Sequence, residues 1–257
     1  MPRLRLPRVR AAADLRRATA LLLLGAAPGA AQSLIVGIPS TDVTPRGRTI
    51  AAHESQFSST AVQRGWTSFT FVTHGIGHRT ELAASLLNVS APSSENRALS
   101  VGFKSAVPLG GDEPASAIGP LRRVARRVDA VAAGGAMVLQ SLDRRGTGLW
   151  LHATASIRLP WRDVRRRTRV TVGPSWGTRQ QFGRTATSLM LGVEQPVTEH
   201  VALVADWYSG DHDLAATITA IQVRGPDDLL LITGWKTPNT GVPGGKPAFM
   251  FEVAKEF

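Results

Sequence analysis

Most of the chain consists of short segments in which apolar and polar side chains alternate, separated by clusters of Gly, Pro, Asn and Asp. In the clearest segment, Leu149, Leu151 and Ile157 fall on one face and Trp150 and Arg158 on the other. Because successive side chains of a strand point to opposite sides, this pattern predicts strands with one apolar and one polar face. The twelve predicted strands are 49–56, 66–74, 81–89, 99–107, 130–140, 148–159, 168–178, 186–195, 201–209, 215–223, 229–236 and 248–257.

The strand count and the connectors indicate a barrel. Beyond residue 31 no apolar stretch approaches the roughly 20 residues of a membrane-spanning helix, whereas bacterial single-chain barrels have an even number of strands. We therefore predict an all-β fold, an antiparallel transmembrane β-barrel of about 12 strands over residues 49–257. The connectors 75–80, 196–200 and 224–228 are short. Since periplasmic turns of such barrels are short, both termini are expected on the periplasmic side.

Some features fit a barrel less well, and a soluble periplasmic β-sandwich is the alternative fold. The chain has one tyrosine, while barrels usually carry aromatic girdles. Pro174 lies inside a predicted strand, where it removes a ladder hydrogen bond, so a bulge is expected there. The long connector 108–129 could contain a short helix at 121–128 or a missed strand pair. Tryptophans near predicted strand ends could supply a sparse girdle: Trp66, Trp150, Trp176, Trp207 and Trp235.

The first 31 residues have the pattern of an export signal peptide. Six arginines precede an apolar run at 18–27, and Gly29 and Ala31 are small residues at the expected cleavage point. The run has about half the length that a membrane-spanning helix needs. Residues 32–48 then form an N-terminal arm, which is expected either to remain periplasmic or to plug the barrel.

Composition excludes several classes of function. The formal net charge of +11 falls to +6 once residues 1–31 are removed. The arginines at 122–127 and 165–167 have no aromatic side chains interleaved with them, so no nucleic-acid partner is expected. The chain has no cysteine, which rules out disulfides, thiolate zinc sites and cysteine nucleophiles. We expect no cofactor and no metal.

The closing segment carries a resemblance to a known family. Phe249, Phe251, Val253 and Phe257 alternate with polar or small residues up to an aromatic carboxy-terminus. This pattern resembles the last strand of bacterial outer-membrane barrels, although Lys255 stands where these strands usually carry an apolar residue. The resemblance implies that Phe257 is the assembly signal read by the barrel-insertion machinery.

Two further segments, 35–43 and 192–214, are similar to segments of porin-like bacterial outer-membrane β-barrels to which no activity is attached. The resemblance covers most of the chain beyond the signal. It implies localisation in the bacterial cell outer membrane, with outer-membrane lipid as the surrounding partner, and leaves the function open.

Formal catalytic and metal motifs have simpler structural interpretations. Gly173 to Gly177 matches a nucleophile elbow around Ser175, with Asp206 and His212 following in hydrolase order, but no helix pattern follows the motif. An outer-membrane phospholipase with twelve strands keeps this alternative open by analogy. The pair His74 and His78 spans a glycine turn. The loop cluster at 211–213 could hold a cation through oxygen ligands, but it is also typical of an ordinary polar loop.

The polar faces of the predicted strands carry both signs of charge. Buried charges persist only when they are paired or hydrated, so these residues either line water or close on one another across the lumen. His74 is a further neutral candidate for the inner face. The predicted lumen-lining residues are Glu81, Lys104, His152, Arg158, Arg169, Arg179, Glu194, Asp206 and Glu252.

Strand number limits the function. Eight strands leave a filled interior and 16 to 18 a porin channel, so a barrel of about twelve predicts a narrow porin-like channel for small solutes. Arg158 and Arg169 are expected to pair across the lumen with Glu194 or Asp206. The alternatives are a structural or surface-interaction barrel with a closed lumen and, third, an outer-membrane hydrolase using Ser175.

Overall fold

The computed structural model describes residues 34–59, 64–89, 97–109, 129–143, 146–159, 167–243 and 245–257. The described residues form one closed antiparallel barrel of twelve strands, in which each strand pairs with its sequence neighbours and β1 closes on β12. A single-turn helix, α1 (Arg179–Phe182), follows β7. The strands are β1 (Thr49–Ser59), β2 (Arg64–Gly77), β3 (Thr80–Leu87), β4 (Ala98–Pro108), β5 (Asp129–Ser141), β6 (Thr147–Arg158), β7 (Arg169–Gly177), β8 (Ala186–Pro196), β9 (Val201–Tyr208), β10 (Ala216–Arg224), β11 (Leu229–Pro238) and β12 (Ala248–Glu256).

The predicted fold class is confirmed. Each of the twelve predicted strands is present, and every strand end lies within three residues of its predicted position. The helix predicted at 121–128, the signal at 1–31 and the start of the arm lie outside the described residues. None of the helices in the described ranges has the length and apolar character needed to cross a membrane.

The two faces of the wall follow the alternation of the sequence. On β6, Trp150, Thr154 and Ser156 point inward and are buried, whereas Leu151 and Ile157 point outward and are 41% and 40% exposed. Neighbouring strands repeat this arrangement in register, so the outer wall is a continuous apolar surface. An apolar surface of this extent requires lipid or a protein partner around it. Its large exposed side chains include Val72, Leu82, Leu99, Val101, Phe103, Val138, Leu151, Val172, Leu189, Leu191, Leu203, Ile221, Trp235, Phe249 and Phe251.

Replacing Leu151 by arginine is expected to lower the free energy of unfolding by about 2 to 4 kcal/mol, because the charge would face hydrocarbon near the middle of β6. Leu142→Arg is the matched control, since Leu142 is exposed in the β5–β6 turn, and a change within about 0.5 kcal/mol is expected there. Urea titrations of the protein in lipid vesicles measure both effects. Equal effects at the two positions would show that Leu151 does not face lipid.

The ladder between β6 and β7 is interrupted at Pro174, but the predicted bulge is wrong. His152 pairs with Ser175 and Ala155 pairs with Val172 in the same register, and the two intervening positions on each strand are unpaired. Proline has no N–H to donate, so the ladder loses hydrogen bonds without gaining a residue. The register shift in this wall lies instead between Gly75 and Gly77 of β2.

The carboxy-terminal strand closes the barrel as its pattern predicts. On β12, Phe249 and Phe251 face outward, while Met250 and Glu252 are buried inside. The Phe257 amide donates to the Thr49 carbonyl at 2.8 Å, and the Thr49 amide donates back at 3.1 Å. The Phe257 ring is exposed on the outer side. These bonds join the first and last strands at the end of the barrel where β1 begins and β12 ends. The role of Phe257 as an assembly signal stays a prediction.

The tryptophans divide between the two faces. Trp66, Trp176, Trp207 and Trp235 lie on the outward positions of their strands and can contribute to a sparse girdle. Trp150 is 7% exposed and points into the barrel. Its assignment to the girdle is therefore wrong, because its position on β6 has the inward parity of Thr154 and Ser156.

Candidate functional site

Residues 34–44 of the N-terminal arm lie inside the barrel, and residues 45–48 form an exposed turn that leads to β1. Ile35, Val36 and Ile38 have no exposed surface and belong to the same apolar cluster as wall residues. A tight turn shapes this part of the arm, with a bridge between Leu34 and Pro39 and a bond from the Ile35 amide to the Ile38 carbonyl of 2.9 Å. Of the two sequence-based alternatives for the arm, the structure has the plug.

Asp206 of β9 holds the turn of the arm. Its Oδ2 atom accepts the amides of Val36, Gly37 and Ile38 at 3.2, 2.6 and 3.3 Å. Three converging N–H groups form a small anion-binding concavity, which offsets the loss of hydration of a carboxylate that is 3% exposed. The backbone of the arm therefore stabilises the buried carboxylate of Asp206.

Glu81 of β3 binds the arm at Thr44, which is nearer in the chain to the start of β1. Its Oε2 atom accepts the amide of Thr44 at 2.7 Å and the hydroxyl of Thr44 at 2.8 Å. The other carboxylate oxygen of Glu81 lies 3.2 Å from the ammonium of Lys104 on β4, and both side chains are almost fully buried. Thr44 also shares a hydrogen bond of 2.6 Å with Thr73 of β2. A buried ion pair thus forms one anchor of the arm.

A third anchor joins Asp42 to β7. The Arg169 guanidinium contacts Asp42 at 2.5 Å and also donates to Glu194 on the adjacent β8. One residue earlier in the arm, the hydroxyl of Thr41 lies 2.5 Å from that of Ser156 on β6. Because arginine can donate to two carboxylates at once, Arg169 connects the arm to the wall.

Two glycines of the wall make room for the arm. A Cβ atom at Gly75 would lie 2.1 Å from the carbonyl oxygen of Pro45, and one at Gly192 would lie 2.5 Å from Cδ1 of Ile35. A side chain at Gly75 would displace the arm or the strand, because it would meet backbone, whereas one at Gly192 would force the side chains of Ile35 and Ile38 to repack. The wall is therefore shaped to contain this segment, which makes its position specific rather than incidental.

Eight of the nine predicted lumen residues lie on inward positions. His152, Glu194 and Glu252 face the interior with Glu81, Lys104, Arg169 and Asp206. Arg158 also has inward parity, but it pairs at 2.7 Å with Asp129 on the neighbouring strand, and its side chain is 42% exposed. Whether these residues contact a solute stays a prediction.

Three parts of the predicted site are wrong. Arg179 is exposed in α1, beyond the end of β7, because the chain leaves the wall after Gly177. His74 points outward and shares a 2.9 Å bond with Thr49. The predicted pair of Arg169 with Glu194 is present, but it joins adjacent strands and does not cross the lumen. Arg158 pairs with Asp129 instead of Glu194 or Asp206.

The polar contacts that the sequence analysis missed belong to poorly alternating segments. Glu54 of β1 is 6% exposed and lies beside Glu252 in the register. Its Oε1 atom accepts the Gln56 amide at 2.5 Å, and Gln56 in turn accepts from Lys236 of β11 at 3.3 Å. Period-two counting from Ile50 along β1 would have placed Glu54 and Gln56 inward. Asp42 could not be found this way, since the arm has no strand periodicity.

The residues of the formal hydrolase motif do not form a triad. Ser175 is buried on the inner face of β7, unlike the serine of the phospholipase analogy on the outer wall. Asp206 is used by the arm, and the rings of His212 and Phe182 stack at 4.2 Å in the loops. Within the described ranges, Ser175 Oγ and His212 Nε2 have no hydrogen-bond partner. Burial lowers the pKa of His212, and its Nδ1 atom accepts the Leu214 amide at 3.3 Å.

The loop cluster at 211–213 is engaged in protein contacts. Asp211 pairs with Arg184 at 2.8 Å, and the Asp213 amide donates to the Phe182 carbonyl at 3.1 Å. In the part of the chain that the structure describes, no group of three or more His, Cys, Asp or Glu residues is arranged to hold a metal ion. The cluster instead joins α1 to the β9–β10 loop.

Comparisons with known proteins agree on the fold. No protein-family model and no curated protein matches this chain. Among solved structures, a KdgM porin aligns over 82% of this chain and 99% of its own, with a TM-score of 0.54 and 9% identity. A KdgM porin in complex with disordered oligogalacturonate aligns over the same shares with a TM-score of 0.50 and 8% identity. The chain therefore has the fold of porin-like outer-membrane β-barrels.

Proposed function

We propose that the protein is an outer-membrane channel for small solutes whose narrow lumen is occupied by its own N-terminal arm. The observation that carries the proposal is the way in which the arm is held. Asp206, Glu81 and Arg169 bind it through hydrogen bonds and ion pairs. Among the described residues, 34–44 form no disulfide and no strand pairing with the wall, and their covalent connection is to β1 through 45–48.

These anchors are suited to reversible binding. The hydrogen bonds and ion pairs of the arm go to charged or polar groups of the wall, where water can replace it. Release would also hydrate buried apolar wall residues of the same cluster, such as Met190 and Ile218. The apolar side chains of the turn, Ile35 and Ile38, pack on Gly192 and would become hydrated on release. Hydration of these apolar side chains costs free energy, so the state with the arm inside the barrel is favoured and is the resting state.

The wall does not favour solutes of one charge. Acidic residues such as Glu81, Glu194 and Asp206 lie among basic residues such as Lys104 and Arg169 on adjacent strands. A mixed lining of this kind does not produce the single-sign field that concentrates one class of ion. We therefore assign the channel to small solutes without a preference for sign.

Conductance in planar bilayers tests the proposal. Native protein is expected to show small and infrequent openings, because a twelve-strand lumen is narrow and contains the arm. Replacing residues 35–44 by a Gly/Ser linker of equal length removes the anchors and keeps the covalent connection to β1. That variant is expected to show at least a several-fold larger conductance.

The control for folding is gel mobility of unboiled samples, which reports the intact barrel in both proteins. If both barrels are intact and neither conducts, the channel proposal fails. The tight packing of the arm against Gly75 and Gly192 would then favour the second candidate, a structural barrel with a permanently closed lumen.

A further inference from the structure

A second feature of the lumen is a cavity between the arm and the loop end of the barrel, where α1 lies. Its volume is about 190 Å³. Leu34, Val36 and Gly37 of the arm contribute to its lining, and wall strands from both sides of the barrel complete it. This cavity exists with the arm in place, so binding to it does not require release of the arm.

The cavity lining is rich in aromatic and flexible apolar side chains. Phe69 and Phe71 of β2 have ring centroids 5.4 Å apart, and Met137, Trp150 and Tyr208 line other parts of it. An apolar cavity of roughly 150 Å³ accommodates benzene, so this volume suits one ring with a small substituent. Aromatic rings and a methionine sulfur form favourable contacts with another ring.

Two residues that line the cavity carry buried hydrogen-bond donors without a partner in the part of the chain that the structure describes. Trp150 and Tyr208 are 7% and 3% exposed. Neither Nε1 of Trp150 nor Oη of Tyr208 has a hydrogen-bond partner among the described residues. A buried donor without an acceptor costs about 1 to 3 kcal/mol, so a ligand whose acceptor oxygen reached one of these donors would recover that cost.

A polar corner supplies the complementary groups. Glu54, Gln56 and Lys236 form a hydrogen-bonded chain that also lines the cavity. A carboxylate ligand would meet Glu54, and an ammonium ligand would meet Lys236. A neutral ligand avoids both repulsions and can donate to an oxygen of this corner.

The cavity continues toward the loop end. A wider vestibule of about 400 Å³ shares Glu54, Gln56, Phe69, Leu87 and Lys236 with its lining. The two spaces therefore adjoin at these side chains, and no described residue of the arm lines the vestibule. A ligand that entered from the loop end would pass these side chains and not the arm.

We propose that this cavity binds a small, neutral, single-ring aromatic compound that carries a hydrogen-bond acceptor oxygen. The ring packs among Phe69, Phe71 and Met137, and the oxygen accepts from Trp150 or Tyr208. Any N–H or O–H group on the substituent donates to the corner formed by Glu54 and Gln56.

Benzamide is a suitable probe, because it is water-soluble and neutral and has one ring, one carbonyl and one N–H₂ group. Titration of the full chain in detergent, followed by saturation-transfer NMR, should show saturable binding. Trp150→Phe and Tyr208→Phe each keep the ring and remove one donor, and at least one of them should weaken binding about 5- to 10-fold. Trp207→Phe is the matched control, since Trp207 faces outward on β9, and it should bind as the native protein does.

Cyclohexanecarboxamide, which keeps the amide and lacks the aromatic ring, should bind more weakly than benzamide. Absence of saturable benzamide binding to the folded native protein would overturn the proposal. Equal affinities in the native protein and the Trp150, Tyr208 and Trp207 variants would do the same. Both readouts measure binding and not conductance, so failure here is distinguishable from failure of the channel proposal.

Discussion

Oxidation of the double variant Thr41→Cys/Ser156→Cys is expected to abolish channel openings, and reduction is expected to restore them to the native level or above. The hydroxyls of Thr41 and Ser156 lie 2.5 Å apart, between the arm and β6. Because the two hydroxyl oxygens approach this closely, the sulfur atoms of two cysteines at these positions are expected to come within reach of a disulfide bond. Since the chain has no cysteine, the introduced pair would be the only thiols, and bilayer recordings with and without reductant compare one protein with itself.

The chain offers a matched control for this experiment. The hydroxyls of Ser85 and Ser100 are also 2.5 Å apart and buried inside the barrel, but both belong to wall strands, β3 and β4. Ser85→Cys/Ser100→Cys therefore places a disulfide in the lumen without tethering the arm. Its openings should not depend on the redox state. Redox-independent openings in both variants would mean that the arm does not gate the lumen.

The sequence predicted the wall well because strand periodicity has a direct physical cause. Where one face meets lipid and the other meets a polar interior, as on β6, a register slip would put Arg158 against hydrocarbon. The alternation is then strict, and Leu151 and Trp150 can be placed without a structure. In β1 and β11 the alternation of apolar and polar residues is less clear. The sequence therefore did not identify Glu54 and Lys236 as inward-facing residues.

The arm could be anticipated only as an alternative, because nothing in its own sequence distinguishes a plug from a periplasmic segment. Its position depends on long-range complementarity: Gly75 and Gly192 leave space, while Asp206 and Glu81 present acceptors. In a sequence, a glycine within a strand is equally consistent with a β-bulge and with the close approach of another segment to the strand. The interior charges were the accessible signal, since buried charges require partners, but the sequence does not show that the arm supplies some of these partners.

Lys104 is expected to make the largest single contribution of the arm anchors to stability. It pairs at 3.2 Å with Glu81, and the two side chains are 5% and 1% exposed. Lys104→Met would leave the Glu81 carboxylate buried beside Thr44 without a counter-charge, and loss of one partner of a buried ion pair costs about 3 to 5 kcal/mol. Equilibrium unfolding in urea, with the barrel in lipid vesicles, measures the change.

The double variant Glu81→Gln/Lys104→Met separates the ion pair from the packing of the two side chains. Glutamine keeps an acceptor for the Thr44 amide and hydroxyl while removing the charge, so the arm retains this anchor. Most of the stability lost in Lys104→Met should therefore return in the double variant, because replacing both members of a buried pair is often close to neutral. If the two losses instead add, the cost arises from packing around Lys104, and the electrostatic account of this anchor is wrong.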